Sequence, residues 1–388
     1  MQREAVIAAY GRSAVCRAFK GSFRNVHPIE YSAQVLRGIL DRLPGLDRAD
    51  IEDVIVGCAV QHKTTSMNIA KSIAARAELP ECVSAHTINR FCSSGLQAIA
   101  SASNAIAAGQ GDVIVAGGVE DMSDTFEPYP AEYQDSWLNA HAPGAYMPMG
   151  LTAENIVRHY GLTRQEMDAM AVQSHARAAA AQAAGKLASS IIPVTVPDEN
   201  GQEKTVDTDE GIRPGTSLEK LAALKPCFLP PEQGGTVTAA TSSQTSDAAA
   251  FVVLAEREKA EAIGAKPLAR LLSFAVAGCD ATMMGLGPIY AVPKALRRAG
   301  LTVSDLDVIE LNEAFAAQAI PCIRELGLDP EKVNPYGGAM ALGHPMGATG
   351  AFLTIKALDY LRDTGGKYGM VTMCIGGGMG AAGIYELL

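Results

Sequence analysis

The sequence predicts an α/β protein made of two related halves, in which mostly parallel strands alternate with helices packed against them. Short apolar runs alternate with amphipathic stretches along the chain, the pattern of strands and covering helices in one layered fold. A repeat is the second observation: ADIEDVIVG (49–57) and SDLDVIELN (304–312) share a D-[IL]-x-x-[VI] core. The third is longer, since INRFCSSGLQAIASASNAIAAGQGDVIVAGG (88–118) parallels VNPYGGAMALGHPMGATGAFLTIKALDYLRDTGGKYGMVTMCIGG (333–377). Each reads asparagine, small-residue turn, amphipathic helix, strand, Gly-Gly. After the second Gly-Gly the chain runs straight into MGAAGIYELL, whereas after the first it detours before SDAAAFVVLAE (246–256). The boundaries that follow are a first half over 1–118 plus 245–264, an insertion over 119–244, and a second half over 265–388.

Taken in order, the first half opens on an apolar strand pattern in MQREAVIAAYGR. Ile29, Ala33, Leu36, Leu40 and Leu43 then recur at spacings of four and three, one face of a helix. Beyond Cys92, Leu96, Ile99 and Ile106 mark a second helix that stops at Gly109, and Val113 to Ala116 reads as a buried strand. Cys92 therefore falls at a strand-to-helix junction. The insertion differs in texture: PYPAEYQDSW and APGAYMPMG precede a helical GLTRQEMDAMAVQSHARAAAAQAAGK, and loops follow. It reads as a lid or binding subdomain, because loops on a rigid scaffold carry ligand contacts, or as an oligomerisation arm.

Composition narrows the function. A chain of 388 residues with 48% hydrophobic content can bury more than one core. A formal net charge of -10 and a pI near 5.3 disfavour a nucleic-acid or anionic-membrane surface, which needs a basic patch. No long uninterrupted apolar run predicts a membrane span, and a cytoplasmic location is expected. The eight cysteines, at 16, 58, 82, 92, 227, 279, 322 and 374, form no CxxC pair, so no metal site is expected. Most should be small core residues.

Cys92, His344 and Cys374 stand apart because each lies in a glycine- or serine-rich junction. A nucleophilic thiol needs backbone N–H groups facing it and small neighbours that admit an acyl group. Two cysteines and an imidazole suit acyl transfer with carbon-carbon bond cleavage or formation, where one thiol carries the acyl group and another moves a proton at the α-carbon. N–H groups near Gly376, and a water held by Asn312, could receive an oxygen as it turns negative, each such donor contributing about 3 kcal/mol. A helix N-terminus and His344 would lower the Cys92 pKa. Any one of these signals alone reads as ordinary core or turn; their joint occurrence at related junctions does not.

At these residues the chain resembles the thiolase family. NRFCSSGLQA is similar to its nucleophile motif, NEAFA (312–316) to its asparagine motif, GHPMGATG to its histidine motif and CIGGGMG to its second-cysteine motif. YMPMGLTAEN, IRPGTSLEKLAALKPCF and GTVTAATSSQTSDAAA resemble the family's coenzyme A loop domain. The resemblance implies a duplicated αβαβα layered fold with the loop domain inserted, assembled as a homodimer or homotetramer. It implies that Cys92 carries the acyl group, His344 activates it, Cys374 acts as acid or base, and Asn312 holds an oxyanion water. The N–H groups of Cys92 and Gly376 would form the second oxyanion site. Coenzyme A would lie along Met149, Ala239, Ser243 and Phe315 with Arg213 near its nucleotide, as a co-substrate and not a resident cofactor.

Pro148 stands where members committed to acetoacetyl-CoA commonly have histidine, and TSSQTSD replaces the commoner NASGLND. Both favour a 3-ketoacyl-CoA thiolase of fatty-acid β-oxidation, with a possible multienzyme partner there. The alternatives are an acetoacetyl-CoA thiolase joining two acetyl-CoA, a ketosynthase-like relative, and a non-catalytic acyl-CoA or lipid carrier.

Overall fold

A computed structural model describes residues 3–198 and 200–388. Nine strands form the main path of a ten-stranded sheet: β1 (Ala5–Arg12), β2 (Asp53–Gly57), β3 (Ser84–Ile88), β4 (Val113–Asp121), β5 (Ser246–Glu256), β6 (Ala269–Gly278), β7 (Val308–Leu311), β8 (Tyr368–Ile375) and β9 (Met379–Leu387), with the short Cys16–Arg17 pairing beside β5. Their order is β7-β8-β9-β6-β1-β5-β4-β2-β3. The order is a palindrome of the repeat: β2, β4, β5 and β1 of one half answer β7, β8, β9 and β6 of the other. The strands of the two halves pair at a single residue pair, Ile7 with Ala269. Even β3 has its shadow, for Val333 bridges Ile309 in parallel as β3 pairs β2.

The expectation of mostly parallel strands is corrected here. β2 runs parallel to β3 and β4, and β7 to β8, but β1–β5, β4–β5, β6–β9 and β8–β9 are antiparallel. The reason is local in the second half: Gly377 and Gly378 take φ of 81° and 85°, which lets β9 fold straight back on β8 without the crossover a parallel pair needs.

Helices make three layers around this sheet system. α1 (Pro28–Leu40) and α2 (Ile69–Arg76) cover the first half outside; α3 (Ser94–Ala107) and α8 (Met346–Thr364) lie between the halves; α6 (Gly287–Ala299) and α7 (Ala316–Glu325) cover the second half. The insertion adds α4 (Met149–Tyr160) and α5 (Arg164–Ala183). The strands are buried on both faces, so neighbouring residues serve different cores: Val6 and Ala8 face the outer one, Ile7 and Tyr10 the middle one. The same alternation separates Val371 and Met373 from Met370 in β8. Together these cores give the layer order α, β, α, β, α.

Local chemistry sets the ends of the elements. Pro28 opens α1, and His27 Nδ1 accepts from the Ile29 N–H. Leu36 and Leu40 are buried as the spacing predicts, while Leu43 packs from the turn beyond the helix. Thr163 and Glu166 close a reciprocal cap at the start of α5. The predicted helical stretch of the insertion (161–186) is one helix, α5, and a helix the sequence reading did not place, α4, precedes it and ends at Gly161, whose φ is 62°. A buried pair, Arg12 with Asp209 at 2.7 and 2.9 Å, ties the insertion's last loop to β1.

The middle layer is the tightest part. A Cβ added at Gly118 would lie 2.0 Å from the Gly347 carbonyl oxygen, at Gly350 2.2 Å from the Leu96 nitrogen, and at Gly95 2.8 Å from the Gly347 oxygen. The starts of α3 and α8 therefore touch backbone to backbone. Overpacking a core costs about 1–3 kcal/mol and more where backbone must move. Gly118→Ala should accordingly lower the thermal unfolding midpoint and the Cys92 alkylation rate together, measured by fluorimetry and peptide mapping. A variant that melts with the parent would contradict the contact.

Candidate active site

Four segments converge at one end of the middle layer. Cys92 lies in the single turn Phe91–Ser93 that leads into α3, and this turn packs against both β8 and the start of α8. His344 precedes α8 by two residues, Asn312 follows β7 directly, and Cys374 is the penultimate residue of β8. The expected three junctions thus meet, although His344 sits between two helices, not at a strand end. Phe91 reaches φ 44°, a left-handed value unusual for an aromatic residue, immediately before Cys92. Asn89 holds that turn, its Oδ1 accepting from the Phe91 N–H at 2.8 Å.

Around the Cys92 sulfur, the backbone N–H groups of Gly376 and of Cys92 itself are hydrogen-bond donors. His344 is 6% exposed. Its Nδ1 lies 2.7 Å from Thr349 Oγ1 and its Nε2 3.4 Å from Asn312 Nδ2. With Nδ1 carrying the hydrogen toward Thr349, Nε2 is an acceptor. Asn312 Oδ1 is buried without a partner, a free acceptor beside the imidazole that suits a bound water. The His344 backbone N–H donates to Gln244 O at 2.9 Å, which anchors the segment to the insertion's last loop.

Burial dominates the electrostatics. The Cys92 thiol is pushed up to about 11, chiefly by burial and further by the charge of Glu120, against the lowering effect of the Gly376 and Cys92 N–H groups. The expected lowering is therefore corrected: His344 is uncharged and the N–H donors do not offset desolvation. Burial alone takes His344 down to about 4, so at neutral pH it is a proton acceptor and not a cation. Cys374 is raised well above the ordinary thiol value, first by burial and then by the Cys92, Cys322 and Cys279 sulfurs. Cys374 lies two residues before Gly376, whose N–H donates to the Cys92 sulfur.

The residues expected along coenzyme A divide into two sets. Met149 and Phe315 belong to the apolar cluster that contains Cys374, with Ala314, Met340 and Val237. Met149 Sδ would lie 3.6 Å from a Cβ on Gly376. Ser243 is next, its N–H donating to Ala314 O at 2.9 Å, and Ala239 is exposed at the turn Thr238–Thr241. Arg213 is exposed farther out; its N–H donates to His175 Nδ1, and Gly211 just before it packs on Ala341 O. These residues trace a line from the apolar floor to a cation at the surface. A cavity of about 660 Å3 lies elsewhere, lined by Arg17, Lys20, Arg24, Lys204 and Glu210 among others, and no candidate residue borders it.

Thr349, Gln244 and Glu120 are neighbours of the site that sequence reasoning missed. Thr349 and Gln244 lie inside the quoted GHPMGATG and TSSQTSD, and Glu120 left a signal as the first of two carboxylates closing the apolar run VIVAGGVED. Among the described residues no group of histidine, cysteine and carboxylate side chains could hold a metal ion, and no helix is long and apolar enough to cross a membrane.

Comparison with known proteins agrees over the whole length. Residues 5–258 match the family described as Thiolase, N-terminal domain, and residues 265–387 match Thiolase, C-terminal domain. The chain is 47% identical to the 3-ketoacyl-CoA thiolase of Bacillus subtilis, covering 99% of this chain and 100% of that protein. It is 45% identical to the 3-ketoacyl-CoA thiolase of Shewanella frigidimarina, covering 99% of each. The crystal structure of the Bacillus anthracis acetyl-CoA acetyltransferase superposes with a TM-score of 0.91 at 38% identity, covering 100% of this chain and 99% of that one.

Because burial sets the Cys92 thiol near 11, its alkylation by iodoacetamide should keep rising with pH beyond about 9, as its thiolate fraction does. Peptide mapping across pH measures this. A rate that levels off near neutrality would contradict the buried, uncharged surroundings.

Proposed function

The chain belongs to the thiolase family, and from that premise we propose that it cleaves 3-ketoacyl-CoA with coenzyme A, releasing acetyl-CoA and a shortened acyl-CoA, by way of an acyl group carried on Cys92. The observation that carries the reading is the neutral imidazole of His344, its Nδ1 engaged by Thr349 and its Nε2 beside Asn312, just before a helix that packs on the Cys92 turn. A thiol near 11 need not ionise in advance when such a base takes its proton during attack.

Cys92 Sγ attacks the 3-keto carbon while its proton passes to His344 Nε2. The keto oxygen gains charge on a carbon now bonded to Cys92 Sγ, where the Cys92 and Gly376 N–H groups would meet it. Carbon-carbon cleavage then expels the acetyl-CoA enolate, and Cys374 returns a proton to its α-carbon. The thioester oxygen of that enolate would be met by a water on Asn312 and His344. Burial supports the acid role, because it keeps Cys374 in the S–H form. Coenzyme A next attacks the Cys92 thioester, its thiol proton passing to the Cys374 thiolate, and the imidazolium proton of His344 returns to Cys92 sulfur as it leaves.

Residues 119–244, with the loop that follows, form the part that holds coenzyme A in this reading. Met149, Ala239, Ser243 and Phe315 line the pantetheine and Arg213 faces the nucleotide phosphates, the local cation an acidic protein needs for a polyanion. The 3-ketoacyl preference over condensation of two acetyl-CoA rests on Pro148 and on relatives of that name at 45–47% identity. A place in fatty-acid β-oxidation and a homodimer or homotetramer belong to the same proposal. The edge strand β3, with partly exposed residues, and the exposed Tyr129, Tyr133 and Trp137 of the insertion support assembly; a monomeric mass in solution would remove it.

The assay is cleavage of a 3-ketoacyl-CoA that depends on coenzyme A and releases no CO2. Cys374→Ala should still acylate Cys92 from an acyl-CoA while carbon-carbon cleavage falls at least 100-fold, and Arg213→Ala should raise the KM for coenzyme A about 10-fold. Equal loss of both half-reactions in Cys374→Ala, or full activity in Cys92→Ser, would overturn the assignment.

A further inference from the structure

Glu120 is wholly buried at the site end of β4, and no cation is among the groups that act on it. Its carboxylate instead collects donors from two segments. Oε2 accepts from the Ala59 N–H at 2.9 Å and the Gly347 N–H at 2.7 Å; Oε1 accepts from the Val60 N–H at 3.1 Å and faces Cys58 Sγ at 3.7 Å. Burying a carboxylate with nothing but N–H and S–H groups around it costs several kcal/mol before hydrogen bonds offset it. Oε2 alone bridges the two segments, and Oε1 adds the Val60 N–H; an amide in its place would set an NH2 against one of these N–H donors.

The two segments lead to the two reacting groups. Gly347 lies in the first turn of α8, three residues from His344, and a carboxylate there also complements the positive end of the helix. Ala59 O accepts from Asn89 Nδ2 at 2.9 Å, and Asn89 Oδ1 accepts from the Phe91 N–H, the residue before Cys92. One path of hydrogen bonds thus runs from Glu120 to the strained turn of the nucleophile, the other to the base.

We infer that Glu120 is the positioning residue of this site, its ionised carboxylate holding the Cys92 turn and the His344 turn at one fixed separation. The inference rests on the chemistry proposed above and deepens it. Glu120 touches no substrate. Burial raises its carboxyl to about 7 against the pull of the Gly347, Ala59 and Val60 N–H groups. The groups facing it are Cys58, Cys92, and Tyr31, whose hydroxyl donates to the Glu120 backbone carbonyl at 2.8 Å. Above that pH four oxygen lone pairs accept; below it one oxygen becomes a donor that the N–H groups oppose, so the clamp loosens as pH falls.

Glu120→Gln tests this in the full-length protein. It keeps the shape but turns an NH2 toward an N–H, and it removes the charge that raises Cys92. The expected result is kcat lower by about 10- to 100-fold, a KM for coenzyme A within about twofold, and a Cys92 alkylation profile displaced to lower pH. A less active enzyme with a more acidic nucleophile is not what loose packing would produce. Unchanged kcat, or an unmoved alkylation profile, overturns the inference. Should Glu120→Gln fail to fold, Asn89→Ala cuts only the path to Cys92: slower acylation at unchanged thermal midpoint supports the clamp, and parental acylation overturns it. Alkylation is read without thiolysis, so a displaced profile in a protein that cleaves no 3-ketoacyl-CoA would condemn the proposed reaction and leave the clamp standing.

Discussion

The backbone contact between the starts of α3 and α8 is the constraint on which the rest depends. Two helices normally approach no closer than their side chains allow, about 8–10 Å between axes. Here glycines at 95, 118, 347 and 350 remove those side chains where the helices and β4 cross. The nucleophile and the base are both placed just before a helix start, so bringing the helix starts together brings them together. Duplication explains the symmetry of this arrangement: Cys92 and His344 occupy related positions in the two halves, and the middle layer is where the halves face one another.

That placement sets the electrostatics as well. Enclosed between two sheets, every titratable group of the site is driven toward its uncharged form, thiols up and imidazole down. An uncharged site suits a reaction that shuttles protons between sulfur, nitrogen and carbon. The polar support around the nucleophile comes from fixed N–H groups. Negative charge is confined to Glu120, where backbone donors absorb it.

Much of this was legible in the chain. The repeat located the two halves and the long insertion, because related segments fold alike and Gly-Gly marks the same strand end in each. The motifs located Cys92, His344, Cys374 and Asn312, since small residues around a reactive side chain are rare unless space is needed. Strand direction was not legible: β5 and β9 look like any buried strand, and only the turn at Gly377 and Gly378 decides that β9 reverses. Nor was the Cys92 thiol, whose pKa depends on what covers it and not on its neighbours in sequence. Gln244 reaches the His344 backbone through a fold of chain that no local pattern records, and Thr349, although inside GHPMGATG, meets the imidazole only because α8 turns it back.

The point where the insertion leaves the scaffold has a wider consequence. β4 and β5 lie side by side in an antiparallel ladder whose last pair is Asp121 with Asp247, so the chain departs and returns a few ångströms apart. In the twin half the same gap is bridged by three glycines. A scaffold built this way accepts a graft of any length at that port without disturbing either sheet. Recognition of the acyl donor can then diversify over evolution while the bond-making apparatus stays untouched.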